Sequence, residues 1–175
     1  MALEPFDLPW LLPGIAVAAV VAATLAGRLG RALGAHPVVG AGTIFGFGLV
    51  LAATLTPLDA SVAPVAHVPL TCDLSRFLPA SPTVLLRGRE AAQNVLLLMP
   101  LGLSIGAGPR TRRMALVLCV AVALPFFVEG VQFLITPLHR ACESADVADN
   151  LTGLACGLVL GTVLRALVHR ASSRR

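Results

Sequence analysis

The sequence contains few charged residues, and it lacks lysine and tyrosine altogether. Only 13% of its 175 residues are charged and 57% are hydrophobic, whereas soluble domains carry about 25% charged and about 45–50% apolar residues. This balance excludes a disordered tail, a coiled coil and an ordinary cytosolic enzyme. All 13 basic residues are arginines, which indicates a codon bias more than a chemical requirement. The formal net charge of +4 therefore does not indicate a nucleic-acid-binding protein.

Signatures of cofactor and metal chemistry are also missing. The sequence has no phosphate-binding loop, no dinucleotide fingerprint and no calcium loop, and none of its four histidines belongs to an H-E-x-x-H zinc helix. Gly102-Leu-Ser104-Ile-Gly106 matches the G-x-S-x-G nucleophile elbow, but that motif needs a strand–turn–helix and a nearby histidine. We therefore predict no metal and no cofactor, read Ser104 as a small packing residue, and lean towards a protein that is not an enzyme.

Long uncharged stretches define the predicted architecture. A helix that crosses a bilayer needs about 20 predominantly apolar residues. Five stretches approach or exceed this length, and the first two show almost no polar face. We predict an all-α, polytopic membrane helix bundle that forms a single domain over 1–175, with one long outer loop at 59–89 between the second and third helices. The five predicted spans are 8–27, 37–58, 91–109, 114–138 and 147–168.

The arginines are distributed unevenly between the two sides of such a bundle. Segments 28–36, 110–113 and 165–175 carry nine arginines and no acidic residue, whereas the opposite side carries four arginines and all nine acids. Because cytoplasmic loops are rich in arginine, the N-terminus should lie outside and the C-terminus in the cytoplasm. Glu4 and Asp7 replace the basic start of a cleavable signal peptide, so we expect the first span to remain part of the protein.

Glycines recur at intervals of four residues in the predicted spans. Such spacing lets helix backbones approach closely within a membrane. We therefore expect these faces to pack against neighbouring helices, although a glycine-rich composition also produces single pairs by chance. The spacings are Gly42-x3-Gly46, Gly102-x3-Gly106 and Gly153-x3-Gly157-x3-Gly161.

Polar side chains lie at a similar depth near the outer ends of the last three spans. A carboxylate exposed to lipid is costly, so Glu129 should face the bundle interior. These polar residues together could form a ligand pocket or a structural clamp without a ligand. They could also form a catalytic site, with Glu129 as the base and Asp146 as the acid or a cation ligand. Arg140 is the nearest cation in the sequence, and its planar fork suits carboxylate or phosphate. The predicted binding residues are Asn94, Glu129, Gln132, Arg140, Asp146 and Asn150.

The cysteines fall into two pairs. Cys72 and Cys142 both lie on the predicted outer side, where an oxidising environment favours a disulfide that would tie a lid over the polar residues. A metal site that joins them to His67 and His139 is the alternative. Cys119 and Cys156 lie within predicted spans, where we expect them to be small packing residues.

Three motifs in this part of the chain resemble those of the VanZ-like family of bacterial membrane proteins. Leu98 stands where the first motif usually has an aromatic residue, and the resemblance extends over about residues 67–165. The motifs are Asn94-x5-Pro100-Leu-Gly102, Glu129-x2-Gln132 and Arg140-x5-Asp146-x3-Asn150-x2-Gly153-x3-Gly157.

The resemblance implies a multi-pass protein of the bacterial plasma membrane. The founding member of the family gives low-level resistance to the glycopeptide teicoplanin, by a mechanism that is not established. We therefore expect this chain to bind or protect a lipid-linked cell-envelope component at the outer leaflet, with membrane lipids and no nucleic acid as partners. A membrane-embedded hydrolase or transferase that acts on a lipid-linked substrate is the alternative.

Overall fold

The computed structural model describes residues 10–56, 71–135 and 142–173. Helices account for most of them, in agreement with the predicted all-α class. The two short strands, β1 and β2, pair in parallel and place Cys72 opposite Cys142. The elements are α1 (Leu11–Leu33), α2 (Pro37–Thr54), β1 (Cys72–Asp73), α3 (Pro82–Arg87), α4 (Arg89–Ala107), α5 (Arg112–Leu134), β2 (Cys142–Glu143) and α6 (Ser144–Ser172).

Local sequence signals explain where several helices begin and end. Gly34 ends α1 with a left-handed backbone at φ 67°, a conformation that costs a glycine little. Two residues later the His36 side chain accepts a hydrogen bond from the Val38 amide at the start of α2. Thr111 accepts one from the Met114 amide at the start of α5. These caps satisfy amides that have no partner within the helix.

Four helices, α1, α2, α5 and α6, are long and apolar enough to span a membrane. The third predicted span corresponds to α4, which is 19 residues long and therefore about 28 Å at the helical rise. Its first two turns carry Arg89, Glu90, Gln93 and Asn94, and α4 is not among the helices apolar enough to count as a candidate span.

The helix α4 lies at the centre of the bundle. It packs against α6 along most of its length and against α2 on another side, and its Leu98 and Leu101 side chains are almost completely buried. The glycine face of α6 makes the closest approach, because a Cβ atom at Gly153 would overlap the Val95 carbonyl oxygen of α4. The equivalent overlaps of Gly157 and Gly161 are with the carbonyl oxygens of Met99 and Leu103. The predicted packing of this glycine face is confirmed.

The two other glycine spacings also form helix contacts. Gly42 and Gly46 of α2 face Ser104 and Leu101 of α4. Ser104 is buried and donates a hydrogen bond to the Pro100 carbonyl oxygen one turn earlier, at 3.0 Å. Its predicted role as a small packing residue is therefore confirmed.

Large apolar side chains cover the outside of the bundle. Leu12 and Val20 of α1, Phe126 of α5 and Val159 of α6 are all exposed, which suits a surface in contact with lipid rather than water. Cys119 and Cys156 lie within α5 and α6, as predicted, but both are exposed on the bundle and so do not act there as packing residues. Each lies one or two residues from a buried position. Because successive helix residues are about 100° apart, these side chains point away from the buried face of their helix.

Charge separates the two ends of the bundle. The end at which α1, α4 and α6 begin, here called the acidic end, contains every acidic residue that the structure describes: Asp73, Glu90, Glu129, Glu143, Asp146 and Asp149. The opposite end, here called the arginine end, contains seven described arginines and no described acid: Arg28, Arg31, Arg110, Arg112, Arg113, Arg165 and Arg170.

Candidate functional site

A disulfide joins the two strands at the acidic end. Cys72 and Cys142 are bonded, with their Cα atoms 4.6 Å apart and 70 positions between them in the sequence. This is the pairing that the sequence favoured over a metal site; His67 and His139 lie outside the described residues. The bond ties the segment before α3 to the start of α6, so the segment lies over the acidic end.

An ion pair holds the same segment to α6. The guanidinium of Arg76 donates two hydrogen bonds to Asp149, Nη1 to Oδ1 at 3.1 Å and Nη2 to Oδ2 at 2.6 Å. The Ala80 amide donates to the same carboxylate at 2.8 Å. Asp149 is completely buried, whereas Arg76 is 35% exposed. The hydrogen-bonded Asp149 carboxylate raises the pKa of Arg76 above its ordinary value.

The prediction from the sequence did not include Arg76 or Asp149 among the site residues. It named Arg140 as the cation, and Arg140 lies outside the described residues. One signal for Asp149 was present: an acidic residue in an apolar helix, next to Asn150, needs a partner. The partner itself is 73 positions away, so no local spacing could have identified it.

Glu129 and Gln132 lie on the same side of α5 but contact different elements. Both are buried, as predicted for Glu129. Glu129 Oε2 accepts a hydrogen bond from the Glu143 amide of β2 at 2.8 Å. Gln132 Nε2 donates to the Thr54 carbonyl oxygen at 3.0 Å, in the last turn of α2. The two side chains thus connect the end of α5 to two different neighbours.

The remaining predicted residues that the structure describes belong to α6 and α4. Asn150 is buried, and its Oδ1 atom has no hydrogen-bond partner among the described residues. Asp146 is half-buried and interacts electrostatically with Glu90, Glu143 and Asp149. Asn94 is half-buried in the second turn of α4. The predicted site residues that the structure describes thus lie on α4, α5 and α6, and Arg140, the sixth member of the set, lies outside the described residues.

A cleft opens between α5, the start of α6 and the segment that follows β1. Its volume is about 420 Å³. Aromatic and aliphatic side chains form most of its wall, and Glu129, Glu143 and the two disulfide-bonded cysteines also line it. Of the predicted binding residues that the structure describes, only Glu129 lines it. The apolar wall comprises Leu74, Phe77, Phe126, Phe133, Val147 and Leu151.

This arrangement suits an organic ligand better than a metal ion. Within residues 10–56, 71–135 and 142–173, no cluster of three or more histidine, cysteine or acidic residues could hold a metal. The cleft offers a largely apolar surface, and two acidic residues, Glu129 and Glu143, are among those that line it. A ligand with a hydrocarbon portion and a hydrogen-bond-donating polar group would match both features.

No protein-family model, curated protein or solved structure matches the chain.

The disulfide gives a prediction that can be tested directly. Reduction, or a Cys72→Ser and Cys142→Ser double variant, should lower the free energy of unfolding by about 2–4 kcal/mol, because closing a long loop restricts the unfolded chain. Thermal unfolding in detergent with and without a phosphine reductant measures the effect. Cys119→Ser is the control, since Cys119 is exposed and unbonded; an equal loss in that variant would contradict the assignment.

Proposed function

We propose that this chain is a VanZ-like protein of the bacterial plasma membrane that binds a lipid-linked cell-envelope component through the cleft at its acidic end. The cleft carries the proposal, because it combines an apolar wall with the buried Glu129 carboxylate. Its volume falls within the range of about 300–1,000 Å³ that is typical of ligand pockets. Binding or shielding such a component would contribute to glycopeptide resistance or to maintenance of the envelope.

The charges around the cleft favour a particular kind of headgroup. Glu129 and Glu143 line it, whereas Arg76 is already bound to Asp149. Carboxylates accept hydrogen bonds, so the part of the ligand next to Glu129 should donate them, as sugar hydroxyls, amides and ammonium groups do. Arg140, from the family motif, would then supply the cation for a phosphate.

The distribution of charge supports the orientation of the proposed site. In our proposal α4 is a fifth span, the acidic end faces the outside, and the arginine end faces the cytoplasm. The absence of acidic residues from segments 28–36, 110–113 and 165–175 supports this orientation. The cleft would then open at the outer leaflet, where lipid-linked envelope precursors are used.

A membrane-embedded hydrolase or transferase is the second candidate. The observation in its favour is that the Glu129 carboxylate lines a cleft of ligand size. In such an enzyme Glu129 would act as general base towards a bound hydroxyl or water. Asp146, the acid in that scheme, does not line the cleft, which favours binding over catalysis.

Two variants test the cleft. Glu129→Gln should weaken binding of an undecaprenyl-diphosphate-linked disaccharide by about 10- to 100-fold, since a hydrogen bond to a charged group contributes about 1.5–3 kcal/mol. Gly130→Phe should block binding, because Gly130 lines the cleft and has open space beside it. Affinity is measured on the purified protein in detergent, and teicoplanin susceptibility is measured in cells that express equal amounts of each variant.

Matched controls keep this test specific. Glu90→Gln removes an exposed carboxylate from the same end, and Leu134→Phe adds a ring at an exposed position outside the cleft lining. Both should bind the probe normally. Equal binding by Glu129→Gln, Gly130→Phe and the wild type would refute the proposal, whereas turnover of the probe that is lost in Glu129→Gln would establish the enzyme instead.

A further inference from the structure

We propose that a second cleft, at the arginine end, binds the phosphate of an anionic phospholipid. This cleft has a volume of about 420 Å³ and lies between the α4–α5 connection and α6. Three arginines line it: Arg110 and Arg112 from the connection and the start of α5, and Arg165 from α6. Planar guanidinium groups suit phosphate oxygens because they can donate two parallel hydrogen bonds.

These arginines have no acidic partner within the described part of the chain. All six described acids lie at the opposite end of the bundle, where Asp149 forms its ion pair with Arg76. Arg110 and Arg112 are exposed and Arg165 is half-buried. Three positive charges around one cavity repel each other, so an anion bound there lowers the electrostatic energy.

One of the three guanidinium groups is held in place by the backbone. Arg165 Nη1 donates a hydrogen bond to the Gly108 carbonyl oxygen, which joins α6 to the end of α4. An arginine has five N–H donors, and this is the only hydrogen bond of the Arg165 side chain to the described residues. The remaining donors are therefore available to a ligand in a cleft that Arg165 lines.

The apolar side chains that line the cleft favour the phosphate of a lipid over a free phosphate ion. Ile105, Leu118 and Leu158 line the cleft together with the arginines, so the cavity is amphipathic. An acyl chain can lie against these side chains while the phosphate contacts the guanidinium groups at the membrane surface. Basic pockets between membrane helices on the cytoplasmic side are known to bind anionic headgroups in this way.

This inference does not depend on the function proposed for the acidic end. The two clefts share no lining residue, and the occupant of the second is a bulk membrane lipid rather than an envelope precursor. Bound lipid would connect α4, α5 and α6 at the arginine end, so it should also stabilise the protein.

Binding of defined lipids to the full chain in detergent tests the proposal. We expect phosphatidylglycerol to bind and to raise the melting temperature, and phosphatidylcholine and inorganic phosphate to do neither. Arg112→Ala should weaken the binding of phosphatidylglycerol about fivefold, and Arg110→Ala with Arg112→Ala about 25-fold, since each basic residue near an anionic surface contributes about a fivefold factor. Native mass spectrometry and thermal unfolding report the two effects.

Arg170→Ala is the matched control, because Arg170 is an exposed arginine of α6 at the same end that does not line the cleft. It should retain the wild-type affinity. A loss in Arg170→Ala as large as that in Arg112→Ala would show non-specific attraction and overturn the proposal, as would equal binding of phosphatidylcholine. Binding of inorganic phosphate with the affinity of phosphatidylglycerol would also overturn it, because the acyl chains would then contribute nothing.

Discussion

Asp149→Ala is expected to lower the free energy of unfolding by about 1.5–3 kcal/mol, because it removes the buried carboxylate that accepts hydrogen bonds from the partly exposed Arg76 guanidinium. The variant loses both hydrogen bonds from Arg76 to Asp149, so the guanidinium keeps only its bond to the Leu78 carbonyl oxygen, and the Ala80 amide loses its acceptor beside a buried position. Asp149→Asn, which keeps an acceptor for the Ala80 amide, should cost less. Unfolding in mixed detergent micelles measures the differences.

The pair also orders the segment above the start of α6. Ser144 Oγ donates to the Arg76 carbonyl oxygen at 2.8 Å, which gives a second attachment of this segment. We therefore expect Asp149→Ala to increase proteolysis between β1 and α3. Asp73→Asn is the control, since Asp73 is an exposed carboxylate of β1 that accepts from the nearby Ser75 amide. Similar stability of Asp149→Ala and the wild type would show that the pair does not hold the segment.

Gly153→Ala is expected to lower the free energy of unfolding by about 1–3 kcal/mol, the usual cost of overpacking, and Gly153→Leu by more. A Cβ atom at this position would overlap the Val95 carbonyl oxygen, which belongs to the backbone and cannot rotate away. The helices α4 and α6 must then separate along the contact that continues through Gly157 and Gly161. Melting temperature and unfolding in mixed micelles measure the cost.

Gly130→Ala provides a control of opposite sign. Gly130 lies inside α5 with open space around its Cα atom, so alanine there should stabilise the helix by about 0.5–1 kcal/mol through the reduced backbone entropy of the unfolded chain. If Gly153→Ala and Gly130→Ala change the stability equally, the close approach of α4 and α6 does not contribute to folding.

The outcome for the polar residues shows how far helical spacing can be used. Residues three or four positions apart lie on one side of a helix, and from this we expected Glu129 and Gln132 to share a site. They do lie on one side of α5, yet Glu129 accepts from the Glu143 amide and Gln132 donates to the Thr54 carbonyl oxygen. The spacing of two residues in the sequence specifies on which side of their helix the side chains lie. Their hydrogen-bond partners depend on which other helix or strand lies next to that side.

The sequence by itself determined the all-α class, the approximate positions of the long helices, the separation of the acidic end from the arginine end, and the glycine face of α6. These features depend on composition and on short-range periodicity. Only the tertiary structure decided that Arg76 pairs with Asp149 and that two clefts flank α6. It also chose the Cys72–Cys142 disulfide from the two alternatives that the sequence had left open. The ion pair joins residues that are 73 positions apart in the sequence. Each cleft is the space left between helices that pack closely elsewhere. Such features depend on how whole helices are placed, which no local pattern in the sequence specifies.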